Sequence, residues 1–352
     1  MKKRFGAMIM AVVLLLTITS CEQEEKESGR IYGGCSVHYI DVGQGDAALI
    51  QAGDTNSLID TGTNSHYDEL SAYLDSQNVE KLDNLIITHP DADHMGGAYA
   101  VIADYGVEQF YTTNTTSDSQ AYQKMIRALK QNHIEKQVVS AGDDIDFGEG
   151  AQGSVLGPIG EAEDSNESSL VIRLDYGENS YLFTGDTTAR MENRMNQKYD
   201  IDVDVLKASH HGSDTANGVK FIRDASPIYS VISVGADNNY GHPDYNVLRR
   251  LKKYSTQGVL RTDKMGNIVI SSNGEKLSVE SIDHSQMIEE QHNTSQKKKI
   301  NSIKEEIIGN KNTKVYHSKE EGNLPDEENR VYFSSENEAK KAGYRPCSRC
   351  YP

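Results

Sequence analysis

The sequence predicts an α/β fold over residues 36–283. Short runs rich in β-branched and aromatic residues recur there between turn residues, which is the pattern of β-strands. Segments with apolar residues three and four positions apart, the pattern of amphipathic helices, lie between those runs. Such a mixture of strands and helices is typical of α/β domains. The predicted strands are 37–42, 47–51, 85–88, 170–174 and 181–184, and the predicted helices are 67–76, 121–132, 188–198 and 246–254.

The composition indicates a folded but strongly acidic protein. Its 352 residues are 36% apolar and 25% charged, with a formal charge of −17. Residues 31–285 hold 19 basic and 38 acidic residues, a net charge of −19, whereas residues 286–352 hold 12 and 11, a net charge of +1. The large domain therefore lacks the broad positive field on which non-specific nucleic-acid binding relies.

The N-terminus has the pattern of an export signal. Basic residues at positions 2–4 precede an uncharged run, whose apolar part at 7–18 is too short to span a bilayer as a helix. The small residues before Cys21 resemble the lipobox of bacterial lipoproteins, in which that cysteine is lipidated. We expect residues 1–20 to be a lipoprotein signal peptide and 21–34 a tether, which would anchor the protein on the extracellular face of the membrane. An ordinary secretory peptide or a short membrane anchor is the alternative.

The rest of the chain divides into a large domain, a linker and a small module. We assign the large domain to residues 35–285. Residues 286–306 are rich in Gln, Asn, Lys and Glu and poor in apolar residues, which indicates a linker. Residues 307–352 form the module, in which Cys347 and Cys350 make a Cys-x-x-Cys pair. Outside the cell such a pair is either a disulfide or half of a metal site.

The strongest chemical signal is the segment 88–97, which reads THPDADHMGG directly after an apolar run. Its candidate metal ligands are His89, Asp91, Asp93 and His94. A strand that ends here would place these side chains in one pocket at a sheet edge. Imidazole nitrogens and carboxylate oxygens suit borderline divalent metals. The alternative, a polar turn that holds two His and two Asp by chance, is much the weaker interpretation.

Further candidate ligands follow strand patterns downstream. Asp186 ends FTGD, His210 and His211 lie in KASHHGS, and His242 lies in YGHP. Six ligands with spare imidazoles fit two metal ions better than one. Two ions about 3.5–4 Å apart activate a water and clamp the attacking and leaving oxygens of a phosphoryl group. The sequence therefore predicts a site for two divalent ions.

These motifs, in this order, resemble the metallo-β-lactamase superfamily and, within it, the extracytoplasmic hydrolase domain of the ComEC competence proteins. The resemblance covers nearly all of residues 36–283 and includes VHYIDVGQGD at 37–46 and LIDTG at 58–62. It implies an αββα sandwich with the metals at one edge between two sheets. A nuclease or phosphodiesterase activity is the function it suggests.

The resemblance also implies a role for each ligand in the two-ion site. His89 and Asp91 would bind one ion, and Asp93 and His94 would bind the other. Asp186 would bridge the two ions. Each role is carried over from the motif position that the residue occupies.

The same resemblance leaves more than one role open for the remaining histidines. His242 matches the last ligand position by its spacing, whereas His210 and His211 would act as a general acid, a phosphate contact or a further ligand. Asp93, His210 and His211 are the candidate catalytic residues. Asp60 would hold the motif loop by hydrogen bonds.

Two departures from the broader superfamily concern the first ion. Asp91 stands where many members have a His, and Asn166 or a neighbour stands where a third His would complete that ion's ligands. Both changes replace an imidazole nitrogen by a chemically harder oxygen ligand and weaken the binding of that ion, so Mn²⁺ is a candidate alongside Zn²⁺.

The polar residues of the VGQGD motif have two interpretations. Gly43 and Gly45 favour a tight hairpin turn in which Asp41, Gln44 and Asp46 make local hydrogen bonds. The alternative is that these three side chains face the metal site.

The C-terminal module resembles the metal-binding domain of the Ada DNA-repair protein, which closes a zinc site with four cysteines. The first Cys pair is missing here, and Glu321 stands near where a Cys is expected after His317. A structural zinc held by His317, Cys347, Cys350 and Glu321 is conceivable, and a disulfide between the two cysteines is the alternative.

The sequence thus predicts a lipid-anchored, extracellular metallohydrolase that cleaves phosphodiesters, with DNA as the substrate that the ComEC resemblance suggests. Two cations and two imidazoles would bind a phosphate locally, but not a long duplex tightly. Single-stranded DNA is a candidate substrate. A small phosphodiester such as a phosphocholine headgroup is the alternative substrate. A non-catalytic, metal-bound accessory protein of DNA uptake is the alternative from a different class. No protein partner is predicted.

Overall fold

The structure is a computed structural model that describes residues 34–282, 307–318, 324–325, 329–333 and 336–347. The predicted signal peptide, Cys21, nearly all of the tether and the whole linker at 286–306 lie outside these residues. Within the described part of the chain, no helix is both long enough and apolar enough to cross a membrane.

Strands and helices alternate through residues 34–282. The strands are β1 (Cys35–Tyr39), β2 (Ala48–Ala52), β3 (Thr55–Ile59), β4 (Lys81–Ile87), β5 (Gly106–Thr112), β6 (Lys136–Val138), β7 (Asp144–Asp146), β8 (Ala151–Gly157), β9 (Val171–Tyr176), β10 (Asn179–Phe183), β11 (Val205–Lys207), β12 (Tyr229–Ile232), β13 (Gly258–Arg261), β14 (Asn267–Ser272) and β15 (Leu277–Ile282). The α-helices are α1 (Tyr67–Ser76), α2 (Ala92–Met95), α3 (Ala98–Asp104), α4 (Gln120–Gln131), α5 (Ala189–Lys198), α6 (Val219–Ala225), α7 (Tyr245–Tyr254) and α8 (Thr262–Met265).

These strands form two sheets. The first has the order β15-β14-β1-β2-β3-β4-β5-β6, and the second has the order β13-β12-β11-β10-β9-β8-β7. Neighbours from β3 to β6 run parallel in the first sheet, as do neighbours from β10 to β13 in the second. Because the carboxyl ends of parallel strands meet at one edge of a sheet, the loops that follow β4, β10, β11 and β12 are placed to meet.

Alternate residues of each strand face different cores. Ile86 of β4 packs with Phe183 of β10 in the core between the sheets. Its neighbours Leu85 and Ile87 pack instead with residues of α1, α3 and α4. On the outer face of the second sheet, Leu182 packs with residues of α5, α6 and α7. The layers are therefore helix, sheet, sheet and helix, which confirms the predicted αββα sandwich.

The strongly patterned elements were well predicted, and the short strands were not. Helix α1 has the predicted bounds, α5 and α7 differ from the prediction by one residue at one end, and α4 begins and ends one residue earlier than predicted. Strands β6 and β7 have three residues each and were not predicted individually. Such short strands carry too few residues for a period of two to be visible.

The described C-terminal residues form a small sheet of their own. Its strands, in the order β18-β16-β17-β19, are β16 (Ile307–Asn310), β17 (Val315–Ser318), β18 (Arg330–Phe333) and β19 (Arg345–Pro346), and it is accompanied by α9 (Glu336–Lys341). Ile307, Tyr316, Phe333, Ala339 and Tyr344 form its apolar core.

Candidate metal centre

The candidate ligands follow the carboxyl ends of strands from both sheets. The segment 88–97 begins where β4 ends, and Asp186 lies three residues beyond β10. His210 and His211 follow β11 in the same sheet as β10. Stacking of the two sheets therefore brings together side chains that are far apart in the sequence.

Four side chains form the tightest group, which we call the ligand cluster: Asp93, His94, Asp186 and His211. One donor atom of each lies within 4.8 Å of the others. Nε2 of His94 is 3.1 Å from Oδ1 of Asp186, and Nε2 of His211 is 3.3 Å from Oδ2 of Asp93. Burial alone would raise the pKa of Asp186, but the imidazoles of His94 and His211 hold it well below its usual value.

His89 and Asp91 make a second group beside this cluster. Nε2 of His89 lies 3.6 Å from Oδ2 of Asp91, and the His89 ring is 4.1 Å from the His94 ring. A hydrogen bond with His89, together with one from Ser165, lowers the pKa of Asp91 against the effect of burial. The next residue, Asn166, has a buried Oδ1 with no hydrogen-bond partner. Asn166 is thus placed near the His89 and Asp91 pair.

The donor atoms fit divalent metal ions because they are buried and lack hydrogen-bond partners. They are Nε2 of His89, His94 and His211, Oδ1 of Asp186 and Oδ1 of Asn166. A buried polar atom without a partner costs about 1–3 kcal/mol, which a metal bond would offset. Imidazole nitrogens with carboxylate and amide oxygens suit Zn²⁺ or Mn²⁺.

Asp60 fixes the orientation of His94. Its carboxylate accepts hydrogen bonds from the Thr88 N–H at 2.8 Å, the Thr88 hydroxyl at 2.7 Å and Nδ1 of His94 at 2.8 Å. Because Nδ1 of His94 donates its proton to Asp60, the lone pair of Nε2 faces the cluster. Donor atoms of Asp46, Asp60 and His94 also lie within 4.8 Å of one another. They do not form another ion site, because Nδ1 of His94 already donates a hydrogen bond to Asp60.

His211 is oriented in the same way by a different acceptor. Its Nδ1 donates to the Ser233 carbonyl at 2.9 Å, which leaves Nε2 as the donor atom toward the cluster. Oδ1 of Asp46 lies 3.3 Å from Nδ1 and adds negative charge rather than a second hydrogen bond. The carboxylates of Asp186 and Asp46 together raise the pKa of His211 to about 10, although burial opposes this.

The structure brings His211, and not His242, into the ligand cluster. His242 is only half-buried, and its ring lies 5.8 Å from the His210 ring. The Asn238 carboxamide holds the His242 backbone through two hydrogen bonds of 3.0 and 2.9 Å, which keeps this loop outside the cluster. His210 lies between the two, with Nε2 3.5 Å from Asp186. The prediction for His242 used only its distance from Asp186 along the sequence, which does not show the conformation of this loop.

Two sequence profiles match the chain. Residues 40–235 match the metallo-beta-lactamase superfamily, and residues 297–352 match the metal binding domain of Ada. The first match spans more than half of the chain and includes the whole ligand cluster. The chain belongs to the metallo-beta-lactamase superfamily.

Three known proteins are similar to this chain. The chain is 32% identical over 285 residues to ComE operon protein 3 of Bacillus subtilis, covering 75% of this chain and 35% of that protein. It is 30% identical over 266 residues to competence protein ComA of Neisseria gonorrhoeae, covering 73% and 34%. The crystal structure of the metallo-beta-lactamase fold protein YhfI from Bacillus subtilis aligns with 68% of this chain and 100% of that chain, at 14% identity and a TM-score of 0.48. The chain thus spans about a third of the length of the curated relatives it matches.

In this superfamily member, the turn that carries His210 and His211 has an unusual backbone. His210 and His211 have φ of 49° and 51°, and Gly212 follows with φ of 82°. Residues other than glycine rarely adopt positive φ, and each such residue costs of order 1–3 kcal/mol. The surrounding structure must therefore hold this turn in place.

Glu192 and Asn217 provide that support. The Glu192 carboxylate accepts from the Ser209 hydroxyl at 2.9 Å and from the backbone N–H groups of Asn217 and Gly218 at 2.7 and 2.9 Å. The Asn217 side chain accepts from the Ser209 N–H and donates to the carbonyls of Ser209 and Ser213. Burial raises the pKa of Glu192. We call these two residues the turn clamp.

Asp46, Lys207 and Glu192 are the residues that sequence reasoning underestimated or missed. Asp46 is buried beside His211, so of the three polar VGQGD side chains it is the one that contacts the cluster. Asp41 and Gln44 instead accept hydrogen bonds from backbone N–H groups of Gly43 and Gly235. The sequence offered one indication of this pair. Asp46 lies just before the buried strand β2 and Lys207 lies at the end of the buried strand β11, where an unpaired charge is rare.

Gly45 of the VGQGD turn allows this arrangement. A Cβ atom at Gly45 would lie 2.4 Å from the carbonyl oxygen of Asp93, and the N–H of Asp46 donates to that same oxygen at 3.0 Å. Any larger residue would push the turn away from the metal-ligand segment.

The Ada-like module places two of its predicted ligands on neighbouring strands. His317 lies in β17, and Cys347 directly follows β19, which pairs with β17. The N–H of Cys347 donates to the carbonyl of Tyr316 at 2.9 Å. Cys350 and Glu321 lie outside the described residues. Whether a zinc or a disulfide closes this module therefore stays a prediction.

Proposed function

We propose that this metallohydrolase of the metallo-beta-lactamase superfamily cleaves phosphodiester bonds of single-stranded DNA by means of two divalent ions. The observation that carries the proposal is the ligand cluster next to His89 and Asp91, with its buried donor atoms left without hydrogen-bond partners. One relative is named a competence protein, and DNA is the substrate that the ComEC resemblance suggests.

Each group of residues would have a defined task. Asp93, His94, Asp186 and His211 would hold one ion, and His89, Asp91 and Asn166, with Asp186 shared, would hold the other. When bound, such ions activate water at neutral pH and neutralise charge that develops on a phosphoryl group. His210 is a quarter exposed at the edge of the cluster, so its Nε2 is placed to contact a phosphoryl oxygen or the leaving group.

The protein scaffold would keep these groups ready for reaction. Asp60 and the Ser233 carbonyl each accept a hydrogen bond from Nδ1 of a candidate ligand histidine. Both imidazoles therefore present Nε2 to the cluster in one orientation. Strand ends from both sheets hold the carboxylates. Such fixed geometry is what positions a scissile bond and avoids reorganisation during the reaction.

A lipid anchor at Cys21 and a place on the extracellular face of the membrane form part of the same proposal. The basic, apolar and small-residue pattern before Cys21 supports it. Metabolic labelling with a fatty-acid analogue in wild type and in Cys21→Ala would test it. Labelling of both proteins would contradict the proposal.

The activity is tested with the purified full-length chain, stripped of metal and then loaded with Zn²⁺ or Mn²⁺. We expect metal-dependent hydrolysis of bis(p-nitrophenyl) phosphate and of labelled single-stranded DNA. Asp93→Ala should abolish both, whereas Asp118→Ala, an exposed aspartate in a loop, should leave both unchanged. Hydrolysis of the small ester alone would favour a small phosphodiester, toward which the acidic domain presents less repulsion. Bound metal without any hydrolysis would contradict an enzymatic role.

A further inference from the structure

Two exposed tyrosines lie in a segment that contacts the histidine turn, where the N–H of Asp244 donates to the carbonyl of Gly212 at 2.9 Å. Across the described residues, the exposed large apolar side chains are Val138, Val219, Tyr240 and Tyr245. Tyr240 and Tyr245 are the most exposed, at 73% and 74%, and both lie close in sequence to His242. Exposed aromatic rings near a reactive centre are a frequent feature of sites that bind ligands with flat rings.

A continuous row of rings connects Tyr240 to the buried ligands. Tyr240 stacks on His242 with ring centroids 5.8 Å apart and an interplanar angle of 16°. His242 is 5.8 Å from His210, which is 6.2 Å from His211. The row continues to His94 at 5.3 Å and to His89 at 4.1 Å. A ligand lying on Tyr240 would therefore be adjacent to the residues that face a scissile phosphate.

The negative charge of the large domain favours base stacking over phosphate contacts as the source of affinity for a nucleic acid. Residues 31–285 carry a net charge of −19, from 19 basic and 38 acidic residues, and Asp237 and Asp244 lie in the same loop region as the tyrosines. A long stretch of phosphates would be repelled. Stacking of bases on aromatic rings is independent of phosphate charge and tolerates any base sequence.

We propose that Tyr240 and Tyr245 form a stacking platform for an unpaired nucleobase, which places the neighbouring phosphodiester beside His242 and His210. This inference rests on the proposed function and names the residues that would recognise an unpaired base of the single-stranded substrate. A base within a duplex is already stacked and cannot lie on a tyrosine ring without being extruded.

The test separates base recognition from phosphate recognition and from turnover. Binding of the full-length chain is measured by fluorescence anisotropy in the presence of a chelator, so that no cleavage takes place. The two probes are a labelled 12-mer of thymidine and an abasic 12-mer with the same number of phosphates. We expect the thymidine 12-mer to bind wild type about tenfold more tightly than the abasic one.

Variants then assign the preference to the platform. Tyr240→Ala and Tyr245→Ala should each reduce the preference for the thymidine 12-mer several-fold while leaving the abasic affinity unchanged. Tyr240→Phe should retain it, because the ring is kept. Val138→Ala is the control for an exposed apolar side chain on the other sheet. The three side chains changed in these variants are exposed, so none of the changes should unfold the protein.

Several results would overturn the platform. Equal binding of the two 12-mers by wild type would do so, as would an equal loss of both affinities in Tyr240→Ala. Binding of phosphocholine that depends on the tyrosines, with no binding of the thymidine 12-mer, would show a site for a cation instead. Failure of the proposed function looks different, because base-dependent binding would persist while metal-loaded protein cleaves no phosphodiester.

Discussion

The ammonium nitrogen of Lys207 lies 2.7 Å from Oδ2 of Asp46, and both side chains are buried behind the ligand cluster. Burial would raise the pKa of Asp46, but Lys207 and His211 hold it below its usual value. Asp46 therefore stays ionised between a lysine on β11 and the imidazole that follows it. This contact joins the VGQGD turn of the first sheet to a strand end of the second.

Breaking this buried ion pair should destabilise the protein strongly. Lys207→Met should lower the free energy of unfolding by about 3–5 kcal/mol, because the buried Asp46 carboxylate loses its nearest cation. Adding Asp46→Asn should recover part of the loss. Urea unfolding provides the measurement. Lys81→Met is the matched control, since Lys81 and Glu108 form an exposed pair at 2.6 Å and the change should have little effect. Similar losses in both variants would contradict the assignment.

Metal content should distinguish His211 from His242. After metal loading and dialysis, His211→Ala should bind metal more than tenfold more weakly than wild type, because it removes a donor atom of the ligand cluster. His242→Ala should bind metal as wild type does, since that ring contacts His210 and Tyr240 instead. Elemental analysis and titration with a chelating dye give the values. A loss of metal in His242→Ala alone would restore the assignment made from spacing.

Removing the turn clamp should loosen the histidine turn without unfolding the sandwich. Asn217 has φ of 58°, so Asn217→Gly keeps the backbone conformation while removing three hydrogen bonds. We expect about 1–3 kcal/mol less stability and faster amide exchange in residues 209–218. Mass spectrometry of deuterium uptake would locate the change. Asn78→Gly, at another residue with positive φ, is the control. Uniformly faster exchange throughout the domain would contradict a local role.

The raised pKa of Glu192 gives a defined pH dependence of stability. A carboxyl group with a raised pKa in the folded state binds more protons folded than unfolded. Stability must therefore fall as the pH rises from about 4.3, the pKa of an unfolded Glu, through the raised value. Glu192→Gln does not titrate, so the difference in unfolding free energy, wild type minus variant, should decrease with pH over this range. An increase of this difference with pH would contradict a raised pKa of Glu192. Burial is the main cause of the shift.

Removal of metal should lower the melting temperature. At a free metal concentration of 100 times Kd, binding to the folded state stabilises it by about 2.7 kcal/mol, which corresponds to roughly 5–10 °C for a domain of this size. Calorimetry with and without chelator measures the shift. Asp93→Ala should show little shift, and Asp118→Ala should behave as wild type. A shift of equal size in Asp93→Ala would place the stabilising ion elsewhere.

The sequence was sufficient to predict the fold and most of the side chains that the structure brings together, but not the residues that support them. The ligands at 89–94 and at Asp186 stand in contiguous motifs at strand ends, so their types and order were informative. The position of His211 in the cluster, in place of His242, depends on the positive φ of His210 and His211. Two adjacent histidines in a sequence do not predict such a backbone conformation. The pairing of Lys207 with Asp46 depends on how the two sheets stack, and no local pattern encodes a contact across 161 residues.

The origin of the ligands in two sheets determines when the protein acquires its metal. His89 to His94 come from the first sheet, and Asp186 and His211 come from the second. Neither sheet alone supplies the ligand cluster, so the complete set of donor atoms exists only after the sandwich has closed. If the chain is exported unfolded, as the proposed signal peptide implies, its complete metal site would form outside the cell, and its activity would depend on the ions present there.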